Sequence, residues 1–131
     1  NLGLTQKIQD DVFVRADQEQ LQIIIENLLS NAYKYADSPR STEVELKTDK
    51  NRAVLIVSDQ GYGIHSQNLN KIFDKFYRSG EEMTRRVPGT GLGLFLVKQM
   101  VELNGGQVKV ASKGLDQGSS FTITFPLAAK L

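Results

Sequence analysis

Ala53-Val54-Leu55-Ile56-Val57-Ser58-Asp59-Gln60-Gly61-Tyr62-Gly63-Ile64 runs from a continuous apolar stretch, through an acid, into a pair of glycines. The apolar stretch reads as a deeply buried strand. Asp59 stands at the strand's end. Gly61 and Gly63 let the backbone turn and approach a planar group closely. A carboxylate in this place accepts a hydrogen bond from an exocyclic amine such as that of adenine. Taken alone, the same residues also describe an ordinary turn after a strand.

The neighbouring segments supply the rest of a sheet. Upstream, Thr42 to Thr48 alternates, with Val44 and Leu46 on one side and Glu43, Glu45 and Lys47 on the other. Asp49-Lys50-Asn51 joins it to the buried strand as a hairpin. Leu4 to Val14 reads as two short extended pieces with a turn at Asp10-Asp11. Downstream, Gln107 to Ser112 and Ser120 to Phe125 form a second hairpin, with Phe121, Ile123 and Phe125 on one face.

Helical segments lie between the strands. Asp17 as N-cap with Gln20 three residues later predicts a capping box. Leu21, Ile24, Ile25, Leu28, Leu29 and Ala32 follow it as one apolar stripe. Asp37-Ser38-Pro39 ends that helix. Gln67 to Phe73 predicts a short helix. Leu92 to Leu103 predicts another, stopped by Asn104-Gly105-Gly106. Arg78 to Thr90 is long, polar and without periodicity, which predicts a mobile loop. The expected fold is an α/β two-layer sandwich: a mixed, mostly antiparallel sheet with about three helices on one face.

Composition bounds the function. The 131 residues fit one domain, and a net charge of +1 gives no global reason to expect nucleic acid as partner. Cysteine is absent, so disulfides and thiolate metal sites are excluded. No apolar run approaches the roughly 20 residues that span a bilayer. The chain opens on Asn1, which suits a segment of a longer protein. Ten of the 11 glycines lie between Gly61 and Gly118, so that part of the chain is where backbone turns carry chemistry.

Two further constellations join the Asp59 turn. Asn27, Asn31 and Lys34 share one flank of the first helix. An amide oxygen is a hard ligand suited to Mg²⁺, and a lysine there reaches phosphate. The same spacing also describes a solvated helix face. Gly89-Thr90-Gly91-Leu92-Gly93-Leu94 opens a helix and presents free N–H groups to an anion. It is not a Walker A loop, because no Gly-Lys-Ser/Thr follows, and no strand runs into it as in a dinucleotide fold. Lys75, Arg78, Arg85 and Arg86 place positive charge just before it. His65 is the single histidine, and a loop position without an evident partner suits an exposed residue better than a base. Tyr35 suits base stacking and sheet-edge packing equally.

In this order the motifs resemble the ATP-binding domain of sensor histidine kinases, in the gyrase, Hsp90, histidine kinase and MutL superfamily with its Bergerat-type fold. Asn27-Leu28-Leu29-Ser30-Asn31-Ala32-Tyr33-Lys34-Tyr35 resembles the N box and Asp59-Gln60-Gly61-Tyr62-Gly63-Ile64 the G1 box. Ile72-Phe73-Asp74-Lys75-Phe76-Tyr77-Arg78 resembles the F box, Gly89 to Leu94 the G2 box, and Gly118-Ser119-Ser120-Phe121 the closing G3 motif. Each box is weakly specific, whereas five in order are highly specific.

The resemblance implies roles. Asn31 coordinates the Mg²⁺ that bridges the ATP phosphates. Asp59 binds the adenine amine, with Gly61, Gly63 and Ile64 beside the base and Tyr35 stacked near it. Lys34 and Arg78 contact phosphates, and Phe76, Thr122 and the loop Gly89, Thr90, Gly91, Leu92, Gly93, Leu94 complete the nucleotide set. Arg78 to Thr90 becomes a lid. Asn27 joins Lys34 and Arg78 as a catalytic position. Hydrolysing members of the superfamily carry a glutamate one turn before the metal-binding Asn, and here that place is Asn27, which takes no proton from water. The implied chemistry is transfer of the γ-phosphate to a histidine on a separate dimerisation domain, with a response regulator downstream. No acceptor motif is expected among residues 1–131. The expected setting is the cytosol, as part of a membrane-anchored bacterial sensor kinase. The isolated domain is expected to be a monomer.

Overall fold

The computed structural model describes residues 4–35, 42–61, 63–64, 66–75, 93–114 and 117–128, with backbone alone at 4–5 and 33–35. Five strands form one sheet: β1 (Leu4–Ile8), β2 (Thr42–Asp49), β3 (Arg52–Asp59), β4 (Gln107–Ala111) and β5 (Ser119–Pro126), in the order β1-β2-β3-β5-β4. β1 runs parallel to β2, and every other pairing is antiparallel. Two α-helices, α1 (Gln18–Tyr35) and α2 (Gly93–Leu103), complete the described elements together with a 3-10 turn at Ser66–Asn68.

Strand alternation sorts the side chains onto two faces. The register sets Val57 between Val44 and Phe121, and Leu55 between Leu46 and Ile123. Val108 and Val110 extend that face through their pairing with Ile123 and Phe121. Ile24, Leu28 and Ala32 of α1 and Val97 and Val101 of α2 close over it, making one hydrophobic core. Each such fully buried aliphatic side chain contributes about 1.5–3 kcal/mol. Ser58, Ser120, Thr122 and Thr124 fall on the other face, where the Ser58 and Ser120 hydroxyls lie 3.2 Å apart in a hydrogen bond. Val54, also on that face, is 8% exposed, so β3 is buried on both sides, as its unbroken apolar run predicts.

The start of α1 depends on the end of α2. The Gln20 N–H donates to Asp17 Oδ1 at 2.9 Å, which is the expected N-cap bond. The reciprocal half of the predicted capping box is absent. The Asp17 N–H instead donates to Asn104 Oδ1 at 2.9 Å, and Asn104 Nδ2 donates to Gln20 Oε1 at 2.8 Å. Asn104 is therefore inserted between the two members of the box. It stands where α2 ends, in a Schellman-type stop with Gly106 N–H donating to the Val101 carbonyl at 2.9 Å and Gly105 N–H to Glu102 at 3.1 Å. At the other end of the pair, the start of α2 at Gly93 lies against Asn27 of α1. The helices thus run antiparallel.

The predicted short helix over Gln67 to Phe73 is reduced to a 3-10 helix at Ser66–Asn68 followed by turns. Lys71 N–H donates to the Asn68 carbonyl and Asp74 N–H to the Lys71 carbonyl, both spanning three residues rather than four. Tertiary docking outweighs helix propensity here. Ile72 enters the core, and the Phe73 ring meets Phe121 edge-on at 6.1 Å. The Lys98 ammonium lies 5.7 Å from the Phe73 ring centre, and Lys75 lies 5.8 Å from that of Phe95. The segment is bound to α2 by these two cation–π contacts. Among the described residues no helix is long and apolar enough to cross a membrane.

Replacing Asn104 with alanine removes three hydrogen bonds and exposes both helix ends to fraying. Asn104→Ala is expected to lower unfolding stability by about 1–3 kcal/mol, read as a reduced urea midpoint at unchanged slope.

Candidate functional site

Asp59 is a carboxylate in a place where few are found: it is 5% exposed, on the helix-covered face, at the end of the central strand. A buried carboxylate requires hydrogen-bond donors. Gly61 N–H donates to Oδ1 at 2.9 Å, closing the turn on itself, and the Ser119 hydroxyl donates to Oδ2 at 2.9 Å from the paired position on β5. On the other side, the β2–β3 register pairs Glu43 with Ser58, so the next step sets Thr42 across from Asp59 on the same face. Thr42 is 7% exposed, and its Oγ1 has no hydrogen-bond partner among the described residues. Three adjacent strands therefore present a row of hydroxyl, carboxylate and hydroxyl. An ionised carboxylate has about four acceptor sites, so it can serve several donors at once.

Two glycine turns shape the rim. Gly63 has φ 69° and Gly118 has φ 72°, both left-handed. A side chain on Gly63 would collide with the Gly114 carbonyl, and one on Gly118 with the Asp59 carbonyl oxygen. The Gly118 N–H donates to the Gly61 carbonyl at 3.3 Å. The turn after β3 and the loop between β4 and β5 are thus interlocked through backbone, with space only for hydrogen between them.

The helix flank contributes amides. Asn27 Nδ2 donates to its own helix at the Ile23 carbonyl, 2.8 Å away. Asn27 Oδ1 faces the start of α2, 3.1 Å from where a Cβ on Gly93 would stand. Glycine at that place lets the helix N-terminus, with its unsatisfied N–H groups, come up against α1. Asn31, one turn further on, is half-buried. No group of three or more His, Cys, Asp or Glu gathers among the described residues. An amide oxygen such as that of Asn31 is a hard donor, the kind Mg²⁺ takes while keeping water and phosphate oxygens as its other ligands.

Of the residues singled out in the sequence, Asp59, Gly61 and Gly63 meet in one turn, and Asn27 meets Gly93. Ile64 enters through its backbone, its N–H donating to Ser112 Oγ at 3.0 Å. Leu94 packs against the core. Thr122 is a correction. It pairs with Ile56 and Lys109, on the face away from Asp59 and the helices. The hydroxyl that reaches Asp59 is Ser119, three residues earlier and so of opposite parity. Counting inward-facing positions back from Phe121 finds it. Thr42 and Ser112 carry no motif and were not legible. Phe76, Arg78, Gly89, Thr90, Gly91 and Leu92 lie outside the described residues, as do Tyr62, His65, Arg85, Arg86 and the predicted helix end at Asp37-Ser38-Pro39. For Lys34 and Tyr35 the structure gives the backbone in the last turns of α1.

Comparison with known proteins agrees with this geometry. Residues 16–129 match the family described as histidine kinase-, DNA gyrase B-, and HSP90-like ATPase. The chain belongs to that family. It is similar to the sensor histidine kinase WalK of Bacillus subtilis, with 38% identity over 124 residues, covering 92% of this chain and 20% of that protein. Among solved structures it resembles the mycobacterial sensor histidine kinase MprB, with TM-score 0.76 and 28% identity over 98% of this chain and 85% of that one. It also resembles full-length ShkA in complex with AMPPNP, with TM-score 0.80 and 25% identity over 97% of this chain and 26% of that one. The chain spans about a fifth of the length of the curated relatives it matches.

Gly105 has φ 79° with open space around its Cβ position, whereas Gly63 has both the left-handed angle and the collision. Alanine at Gly105 is expected to cost about 1 kcal/mol. Gly63→Ala is expected to cost at least about 1 kcal/mol more, measured by parallel thermal unfolding of the two variants.

Proposed function

We propose that this chain binds ATP with Mg²⁺ and donates the γ-phosphate to a histidine on a separate dimerisation domain, as the catalytic domain of a two-component sensor kinase. The observation that carries the reading is the buried Asp59 carboxylate, flanked by hydroxyls and bounded by two interlocked glycine turns. Such a floor suits a planar base bearing an exocyclic amine. Asp59 accepts the amine hydrogen bond, while Ser119 holds the carboxylate and Thr42 offers a second hydroxyl for the base or a bridging water. Membership of the ATPase family supports the nucleotide, and the AMPPNP complex of ShkA is a precedent in a similar fold.

Asn31 supplies an amide oxygen to Mg²⁺, which neutralises phosphate charge when bound. Lys34 and Arg78 meet the phosphates, and the N-terminus of α2 presents N–H groups to them. Phosphoryl transfer of this kind is positioning plus charge stabilisation. Asn27 argues for transfer over hydrolysis. An amide takes no proton from water, and its Nδ2 is already committed to the Ile23 carbonyl. The similarity to sensor kinases supports a histidine acceptor, a response regulator as the next recipient, and a cytosolic setting within a membrane-anchored protein.

Asp59→Asn turns an acceptor toward the amine into a mixed donor, so ADP affinity by calorimetry is expected to fall at least about tenfold. Unchanged affinity removes the pocket assignment. Asn31→Ala is expected to weaken ATP binding in the presence of Mg²⁺ and to leave Mg²⁺-free ADP binding within about twofold. Label from γ-labelled ATP is expected to pass to an added acceptor-helix fragment. Steady phosphate release by the chain alone, lost in Asn31→Ala, would instead identify a hydrolysing ATPase. Tight nucleotide binding with neither outcome would leave a nucleotide-sensing interaction module.

A further inference from the structure

We propose that Ser112 is a positioning residue of the nucleotide pocket: its hydroxyl holds the Gly61–Ile64 turn at the height where the base lies. This rests on the reading of that turn as the adenine-facing wall. Ser112 follows the last residue of β4 and is half-buried. Its hydroxyl accepts from Ile64 N–H at 3.0 Å and from Gly114 N–H at 3.2 Å, and donates to the Gly118 carbonyl at 2.7 Å. The Gly114 carbonyl, at 3.3 Å, is the longer alternative acceptor. One proton and two lone pairs are all a serine hydroxyl has. All are engaged, and all on backbone.

The turn lies beyond the end of the β3 ladder. Among the described residues its other tethers are Gly61 N–H to Asp59 Oδ1 and the 3.3 Å bond from Gly118 N–H to the Gly61 carbonyl. Among the described residues the Ser112 bond is the hydrogen bond at the Ile64 end, where the Ile64 side chain also packs against the core. The same hydroxyl fixes the Gly118 carbonyl, one residue before the Ser119 hydroxyl that reaches Asp59. Ser112 thus stands between the two arms that approach the carboxylate, one through Ile64 and Gly61, the other through Gly118 and Ser119. Without the hydroxyl, Ile64 N–H and Gly114 N–H lose their partner together. The Gly63–Gly114 approach, which tolerates no displacement inward, is then free to open outward. A base pressed against Gly61 and Gly63 would feel that opening, and the phosphates would not.

The test compares Ser112→Ala with Asn104→Ala, a destabilising change at the opposite end of the helix pair. Without nucleotide, amide hydrogen exchange at Ile64 in Ser112→Ala is expected to quicken at least about tenfold, with Val57 and Ile123 unchanged. By calorimetry, ADP affinity is expected to fall about fivefold to tenfold, while binding of inorganic tripolyphosphate, which probes the phosphate half alone, stays within about twofold. Asn104→Ala is expected to lower Tm at least as much and leave ADP affinity unaltered. Unchanged Ile64 exchange overturns the proposal whether or not nucleotide binds. So does an equal loss of ADP and tripolyphosphate affinity, because a merely structural role predicts that. A wild-type chain that binds no ADP sinks the nucleotide reading and the pocket role of Ser112 with it; faster Ile64 exchange would then support the turn-fixing role by itself.

Discussion

A carboxyl side chain buried at the end of a central strand is the constraint that organises the site end of this domain. Desolvating the Asp59 carboxylate is costly, and hydrogen bonds from fixed donors offset that cost. One such donor comes from the residue's own turn and another from Ser119 across the ladder. The first demands that the chain curl at Gly61 as soon as β3 ends. The second demands that β5 begin opposite that point and that Gly118 precede it without a side chain. The Asp59 carboxyl thus ties the end of β3 to its own turn and to the start of β5.

The helices answer a different requirement. Their apolar stripes must cover Val57, Phe121 and Ile123, yet α1 must also leave an amide-bearing flank open beside the site. Asn104 fixes the pair at the end remote from Asn27, tying the first residues of α1 to the last of α2. Gly93 permits close approach at the other end. The pair is anchored by side-chain hydrogen bonds at one end and by the absence of a side chain at the other.

Much of this was legible in the sequence because it rests on local rules. The unbroken apolar run of β3, the alternation of β2 and β5, and the glycine stop after α2 each name their own element. The Asp59 turn and the N-cap at Asp17 are local too. What the sequence hid was contact between distant segments. Asn104 entering the capping box, 87 residues from Asp17, leaves no trace at either position. Of the helix expected over Gln67 to Phe73 only a 3-10 start forms, because Ile72 and Phe73 are held by the core. Thr122 is the exception on the legible side: Phe121, Ile123 and Phe125 already mark the inward face, and three residues along a strand reverse it, so the parity that points to Ser119 is in the sequence.

The Lys50-Asn51 turn joins β2 to β3 at the end of the sheet away from Asp59, seven residues and roughly 23 Å along β3. It borders a shallow cavity lined by Gly105, Gly106 and Pro126, remote from both glycine turns. Lys50 is exposed and already left-handed. That corner is a natural attachment point. A fluorophore, a surface tether or a fused module placed there leaves the Asp59 end facing solvent, so the domain can be immobilised in a defined orientation without touching the row of hydroxyls and carboxylate.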